Sequence, residues 1–251
     1  MVNQKINNYK SSENILNDKN ILITGATDGI GRALALQSAN LGARVIIHGR
    51  NRKKLEAIHD EIVSNPRSKK PTIAMLDFEI ATSENYSSLS ESIMDNFDCL
   101  DGLIHCAGIL GDRSSIEQYD PGLWQKVMHV NLTAPFVLTQ ALMPNLKLSK
   151  QPSIIYTSSG VGQIGKAFWG AYCVSKFGTE ALSQILSQEL IHTSFRVNCI
   201  NPGAVKTKMR LAAYPAENRD KLKSPHEIID SYIYLLDDQS IGVTGKCFDA
   251  Q

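Results

Sequence analysis

Tyr172 and Lys176 stand four residues apart in the run GAYCVSKFGTEAL, so a helix there puts them on one face, one turn apart. Such a pair can turn a phenol into an acid–base group. A free tyrosine titrates near ~10, and a pKa around ~7 needs ~4 kcal/mol of preference for the phenolate. One ammonium about 4 Å away, at an effective dielectric of about 20, supplies ~4 kcal/mol. Tyrosine and lysine also meet at this spacing by chance on many helices. Upstream, the apolar run Ser153–Thr157 reads as a strand that delivers Ser158 and Ser159 to its C-terminal edge, where open α/β sheets bind ligands. A nucleophilic serine is the competing reading. However, Thr157-Ser158-Ser159-Gly160-Val161 is no G-x-S-x-G elbow, and no histidine is placed by sequence to serve it.

A second group of residues suits phosphate. The first strand runs into Thr24-Gly25-Ala26-Thr27-Asp28-Gly29-Ile30-Gly31 and then straight into an apolar-periodic helix. A glycine-rich turn there lets backbone approach a pyrophosphate, and the helix N-terminus offers free N–H donors. A dinucleotide site over Gly25, Thr27, Asp28, Gly29, Ile30 and Gly31 is the expectation. An ordinary glycine turn would look the same, and the spacing is not G-x-G-x-x-G. The second strand ends in His48-Gly49-Arg50-Asn51. A carboxylate at that point would bind ribose hydroxyls and repel a 2′-phosphate, whereas Arg50, followed by Asn51, offers a guanidinium. NADP(H) is therefore expected in preference to NAD(H), although Asp28 argues mildly the other way.

The elements that must position these residues alternate regularly. Strands are predicted at Asn20–Thr24, Arg44–His48, Thr72–Leu76, Gly102–His105, Ser153–Thr157, Arg196–Ile200 and Lys246–Phe248. Helices are predicted near Gly29–Leu41, Arg52–Ser64, Ser83–Asn96, Pro121–Leu146, Gly170–His192 and Pro225–Leu236. This is the pattern of an α/β, doubly wound, seven-stranded parallel sheet covered on both faces. With 251 residues, 43% of them hydrophobic, one domain over residues 19–251 is expected, preceded by a flexible polar arm, 1–18. The charged stretch 206–225 has weak periodicity and the length of a lid. A formal charge of +1 with no block of like charges speaks against a nucleic-acid partner. The five cysteines are far apart and outside metal-like spacing, so a reduced, cytoplasmic protein without a metal site is expected. Val127–Leu146 lacks charge but contains Asn131, Gln140 and Asn145, which suits a helix buried between protein layers better than a membrane span.

Taken together, TGATDGIG, Asp77 after the third strand, Cys106-Ala107-Gly108 after the fourth, Asn131, Ser159, Tyr172-x-x-x-Lys176 and Pro202-Gly203-Ala204-Val205-Lys206-Thr207 resemble the short, single-domain branch of the short-chain dehydrogenase/reductase family. The likeness covers about residues 20–250. Ile109-Leu110-Gly111-Asp112, Trp169-Gly170-Ala171-Tyr172 and Phe248-Asp249-Ala250 look closest to an uncharacterised subgroup of bacterial cytoplasmic oxidoreductases. The resemblance implies a Rossmann-type three-layer sandwich and a hydride transfer between nicotinamide and a small carbonyl or alcohol. It implies Tyr172 as acid/base, Ser159 holding the carbonyl, Lys176 lowering the phenol pKa and holding ribose hydroxyls, and Asn131 anchoring a water chain. It also implies that Asp77 and Phe78 meet the adenine, that Ala107 and Gly108 line the cofactor, and that Pro202, Gly203, Val205 and Thr207 meet the carboxamide end.

His105-Cys106 departs from the usual Asn-Asn, and His105 is read as a packed residue. Homodimers or homotetramers are implied through the helices bearing Asn131 and Tyr172. Aromatic candidates for the pocket wall, Phe168, Trp169 and Tyr214, suggest a moderately apolar aldehyde or ketone. The alternative is a catalytically idle dinucleotide-binding sensor on the same fold.

Overall fold

Eight parallel strands form one sheet among the described residues, 4–6 and 9–251, of the computed structural model. They are β1 (Gln4–Lys5), β2 (Asn20–Ile23), β3 (Arg44–Gly49), β4 (Thr72–Met75), β5 (Gly102–His105), β6 (Ser153–Thr157), β7 (Arg196–Asn201) and β8 (Cys247–Asp249). Their order across the sheet is β1-β8-β7-β6-β5-β2-β3-β4. The seven predicted strands are all present, and the two-residue β1 adds an eighth at the edge by pairing with Phe248 and Asp249. Because successive side chains of a strand point to opposite faces, Ile21 and Ile23 enter one core and Leu22 the other. The first core is covered by α1 (Gly29–Asn40), α2 (Arg52–Val63) and α8 (Asp230–Leu236). The second is covered by α3 (Ser83–Asn96), α5 (Ala134–Lys147) and α6 (Gly170–Glu189).

The chain builds outward from β2 through β3 to β4 and then returns to place β5 on the other side of β2. Connections leaving β2 and β5 therefore diverge, and a crevice opens above their C-terminal ends. Thr24 ties the two ends together. Its hydroxyl accepts from the amides of Cys106 at 2.9 Å and Ala107 at 3.0 Å and donates to the Ile104 carbonyl at 3.3 Å.

Three predicted segments differ, one of them the helix expected near Pro225–Leu236, which is a 3₁₀ turn (Pro225–Glu227) followed by α8. The helix expected over 121–146 is α4 (Pro121–Met128), a π-turn (His129–Thr133) and then α5. Ala134 N–H reaches back five residues to the His129 carbonyl. Pro135 has no N–H to give the Asn131 carbonyl, and the Thr179 hydroxyl of α6 approaches that oxygen instead, at 3.4 Å. The extra residue in the turn is what aims Asn131 inward.

The third difference is the segment read as a flexible arm, whose described residues are docked. Leu16 is fully buried, its amide donates to the Leu41 carbonyl at 3.1 Å, and the Tyr9 hydroxyl donates to Asp237 at 2.9 Å. Polar composition alone suggested solvation, but Leu16 in the core, Ile6, Tyr9 and Ile15 packed against it and a row of hydrogen bonds fix the described residues of the segment. Leu16→Ala is expected to cost ~2–5 kcal/mol in urea unfolding, whereas an undocked arm would leave the midpoint where it is.

Candidate active site

Residues from both halves of the sequence meet in a cleft of about 450 Å³ above the switch point. Its phosphate-suited end is the turn between β2 and α1. Gly25 has φ +67°, and a Cβ there would lie 2.8 Å from the Ala107 Cα, while one on Gly31 would collide with the Gly25 carbonyl. The backbone of this turn is thus packed closer than any side chain allows, and a cradle is left at the helix N-terminus. Asp28 caps α1 by accepting from the Gly29 amide at 2.8 Å. Its other oxygen takes the Lys208 ammonium at 2.7 Å, which holds the carboxyl below the usual carboxylate range. The carboxylate that argued against a phosphate therefore has a cation of its own.

At the far end of β3, Arg50 borders the cleft with 58% of its side chain exposed. Its Nη1 lies 3.0 Å from Glu79 and 3.9 Å from Asp77. Lys126 shares Glu79 at 2.5 Å. Lys54, beside Arg50, lines the same wall, a residue that looked in sequence like ordinary helix surface. Phe78 also lines it and stacks on the buried His48 ring at 4.3 Å. Asn51 is placed differently: its side-chain oxygen accepts from the Lys54 amide at 3.0 Å as the cap of α2, away from the cleft wall.

The other end carries the hydroxyl groups. Backbone extension through Ser158 and Ser159 sends the two side chains apart. Ser158 donates to Glu180 at 2.5 Å, and Ser159 is hydrogen-bonded to the Tyr172 phenol. One turn along α6, Lys176 donates from Nζ to the Thr157 carbonyl at 2.7 Å and stands 5.7 Å from the Tyr172 ring centroid. Asn131 lies beneath the cleft. Its oxygen accepts from the Ile109 amide at 2.8 Å, and its nitrogen donates to the Ile109 carbonyl at 2.9 Å and to Ser175 at 3.1 Å. Gly108 fits between Asn131 and Lys176, since a Cβ there would be 3.3 Å from the Asn131 oxygen.

Burial dominates the titration of both key groups. It pushes Tyr172 up to about 12, Ser159 acting in the opposite direction, and pushes Lys176 down to about 8. The expectation that Lys176 lowers the phenol pKa is corrected for this arrangement, because the ammonium is turned to a carbonyl and desolvation of the phenolate outweighs it. His105 is buried, bonded to Thr139 at 2.8 Å and stacked on Tyr156, a packed residue as read.

The segment 206–225 carries the short helix α7 (Lys208–Ala213), capped when Thr207 accepts from the Arg210 amide at 3.1 Å. It contributes Met209, Arg210 and Ala213 to the wall, joining Val205 and Thr207. Pro202 and Gly203 also border the cleft, and the Gln251 amide donates to the Pro202 carbonyl at 2.7 Å. Trp169 lines the cleft, but Phe168 points out with more than half its surface exposed. Lys208 had no signal in sequence beyond being one more lysine in a charged stretch.

The family model for short chain dehydrogenases matches residues 19–218. The chain belongs to that family. The oxidoreductase YciK of Escherichia coli K12, whose activity is uncharacterised, is 46% identical over 243 residues, which is 97% of this chain and 96% of that one. A short chain dehydrogenase from Salmonella enterica serovar Typhi superposes with a TM-score of 0.95 at 44% identity, covering 97% of this chain and all of the other. One from E. coli CFT073, solved with NADPH, gives 0.93 at 46% identity over 96% of this chain and all of the other. As a short-chain dehydrogenase the protein is an oxidoreductase of the CH–OH/C=O class with a Rossmann-like sheet. No helix among the described residues is long and apolar enough to cross a membrane.

The depressed pKa of Lys176 has a signed consequence. Its folded value, about 8, lies below the ~10.4 of an exposed lysine, so between them the unfolded chain binds more protons and stability rises with pH. Wild type should therefore gain stability relative to Lys176→Met between about pH 7 and about pH 9.5 in urea titrations. Parallel curves for the two proteins would mean that the ammonium is not desolvated.

Proposed function

We propose that the protein is an NADP(H)-dependent oxidoreductase that moves hydride between nicotinamide and a small carbonyl or alcohol, with Tyr172 as general acid/base. The observation that carries this is the Ser159–Tyr172 hydroxyl pair at the wall of the cleft, with Lys176 one turn behind. The cradle at Gly25 and Gly31, with Arg50 and Lys54 at the outer end, fits a phosphorylated dinucleotide, and a relative was solved with NADPH. When bound, the cofactor supplies or accepts the hydride.

The residues of the chain do the rest. Ser159 and Tyr172 present two hydroxyls to a substrate oxygen, so that negative charge developing there meets two donors. With its pKa raised, Tyr172 holds its proton at neutral pH and is ready to give it as the carbonyl becomes an alcohol. Lys176 keeps a cation next to the phenol when it ionises in the reverse direction. Asn131 holds the Ile109 backbone and with it the Ala107-Gly108 wall. Thr27, Gly29, Ile30 and Asp28 shape the phosphate turn. Asp77 and Phe78 take the adenine side, Pro202, Gly203, Val205 and Thr207 take the nicotinamide side, and Asn51 acts through the cap of α2.

The unit carrying all of this is residues 19–251, with 206–225 as its lid. Exposed Phe136, Val174, Phe177 and Ile185 on α5 and α6 support a homodimer or homotetramer through those helices, and free cysteines suit the cytoplasm.

Tyr172→Phe should lower kcat for NADPH oxidation by aldehydes or ketones ~10²–10⁴-fold while NADPH still raises the melting temperature. Equal rates in the two proteins would end the assignment. NADPH should raise the melting temperature of wild type more than NADH does at equal concentration, and Arg50→Ala should narrow the gap. Stronger stabilisation by NADH would remove Arg50 from the site.

A further inference from the structure

Beyond Tyr172 the cleft wall is Trp169, with ring centroids 5.9 Å apart. Two cations lie over that indole ring, which otherwise packs among apolar side chains. The Arg113 guanidinium lies 4.9 Å from the Trp169 centroid and 5.1 Å from that of Tyr214, and its Nη1 donates to the Ala213 carbonyl at 2.5 Å. The Lys166 ammonium lies 5.9 Å and 5.6 Å from the same two rings and donates to the Tyr214 hydroxyl at 3.0 Å. A third cation, Arg210, stands 4.0 Å from the Tyr214 ring but is held by both oxygens of Glu217, at 2.6 Å and 2.5 Å.

Glu217 thus accounts for one positive charge of three. No carboxylate among the described residues stands within ion-pair distance of Arg113 or Lys166. A guanidinium carries five N–H donors, of which the Ala213 carbonyl engages one. Trp169 adds a donor of its own: its indole nitrogen is buried and has no hydrogen-bond partner, in a side chain that is itself 94% buried by its 6% exposure. Trp169 thus sets a buried, unpaired donor in the cleft wall, and just behind its ring the exposed Arg113 and Lys166 offer N–H donors and positive charge that an anion would meet already in place.

We propose that the substrate is a carbonyl compound with a carboxylate tail, in which the reacting oxygen sits at Ser159 and Tyr172 and the carboxylate meets Arg113 and Lys166 at the far side of Trp169. This rests on the oxidoreductase reading and narrows its substrate class, replacing the moderately apolar compound expected from the aromatic residues alone. The aromatic rings serve the spacer, since an apolar chain passing the exposed edge of the indole joins the two polar ends. Arg113 and Lys166 are specificity residues at a distance from the chemistry, and binding at a remote tail is energy that can be used at the reacting carbon.

The test compares matched pairs: succinic, glutaric and adipic semialdehydes against their methyl esters, with ω-oxoalkyl phosphonates as a third arm, by NADPH oxidation. In wild type at least one acid should exceed its ester in kcat/KM by about tenfold or more, equivalent to about 1.4 kcal/mol. That ratio should fall to near unity in the Arg113→Met, Lys166→Met double variant. A variant that merely loosens the lid lowers both members of a pair together and leaves their ratio unchanged. A ratio near unity in wild type, or one that survives in the double variant, overturns the proposal. Phosphonates preferred over carboxylates overturn the carboxylate assignment.

Failure of the oxidoreductase reading looks different, since no aldehyde of either kind would be reduced. The tail site is then read by melting temperature of the NADPH-loaded protein, which glutarate or adipate should raise in wild type and not in the double variant. No rise in wild type would overturn the tail site as well.

Discussion

Lys176 is 6% exposed, and no carboxylate among the described residues stands within ion-pair distance of its ammonium. A buried charge of this kind persists only where its protons are taken up, and the Thr157 carbonyl at the end of β6 takes one at 2.7 Å. The contact fixes α6 against the sheet edge and so decides where Tyr172, one turn earlier, points. It also explains the crowding nearby. Gly108 must lack a side chain because Asn131 and Lys176 close in from two directions, and Asn131 reaches that position only through the π-turn. Desolvation that lowers the lysine raises the tyrosine, so the resting site holds a proton on the phenol and a weakened one on the amine.

At the opposite end of the cleft the constraint is closeness rather than charge. β2 and β5 are neighbours whose continuations diverge, and the Thr24 hydroxyl bridges the gap by accepting two amides of the β5 connection. The glycine turn then has to pass over Ala107, which is why Gly25 adopts a left-handed backbone and Gly31 leaves its Cβ position to a carbonyl oxygen. A phosphate-sized concavity remains at the N-terminus of α1 as the consequence of packing, before any ligand is considered.

The sheet was legible in the sequence because the central runs β2, β3, β5, β6 and β7 are short and almost wholly buried, and all seven expected strands lie where apolar runs do. The glycine turn, Asp77, Ala107-Gly108, Ser159 and Pro202-Gly203 could be placed in order for the same reason, since they follow strand ends, whereas Tyr172 and Lys176 were read from their spacing along a helix. Other features depend on contacts between distant segments. The π-turn comes from Pro135 withholding one N–H while Thr179, on another helix, approaches the freed oxygen. Docking of the N-terminal segment rests on Leu16 meeting Leu41 and on Tyr9 meeting Asp237, none of which has a periodic signature. The direction of the Tyr172 shift went against simple Coulomb reasoning because spacing along a helix gives distance but not desolvation, and the lysine had a carbonyl to face. Arg50 was visible as a cation, whereas the carboxylates of Asp77 and Glu79 beside it come from the next strand connection.

These contacts also say which element can move. Helix α7 is fastened at one side by Lys208 to Asp28 and at the other by Arg113 to the Ala213 carbonyl. The first is an ion pair with the lysine side chain 79% exposed, and pairs in such surroundings contribute about 0–1 kcal/mol. Of the helix itself only Ala213 is buried, so little apolar area resists its departure. By contrast, the walls that carry Gly25, Ser159 and Tyr172 belong to the sheet and to α6, which share the two large cores. The least strongly held wall of the cleft is therefore the one that α7 supplies. Because one of its fastenings is an ion pair at the phosphate turn, a ligand that brings negative charge there meets the same Lys208 ammonium that ties α7 to Asp28.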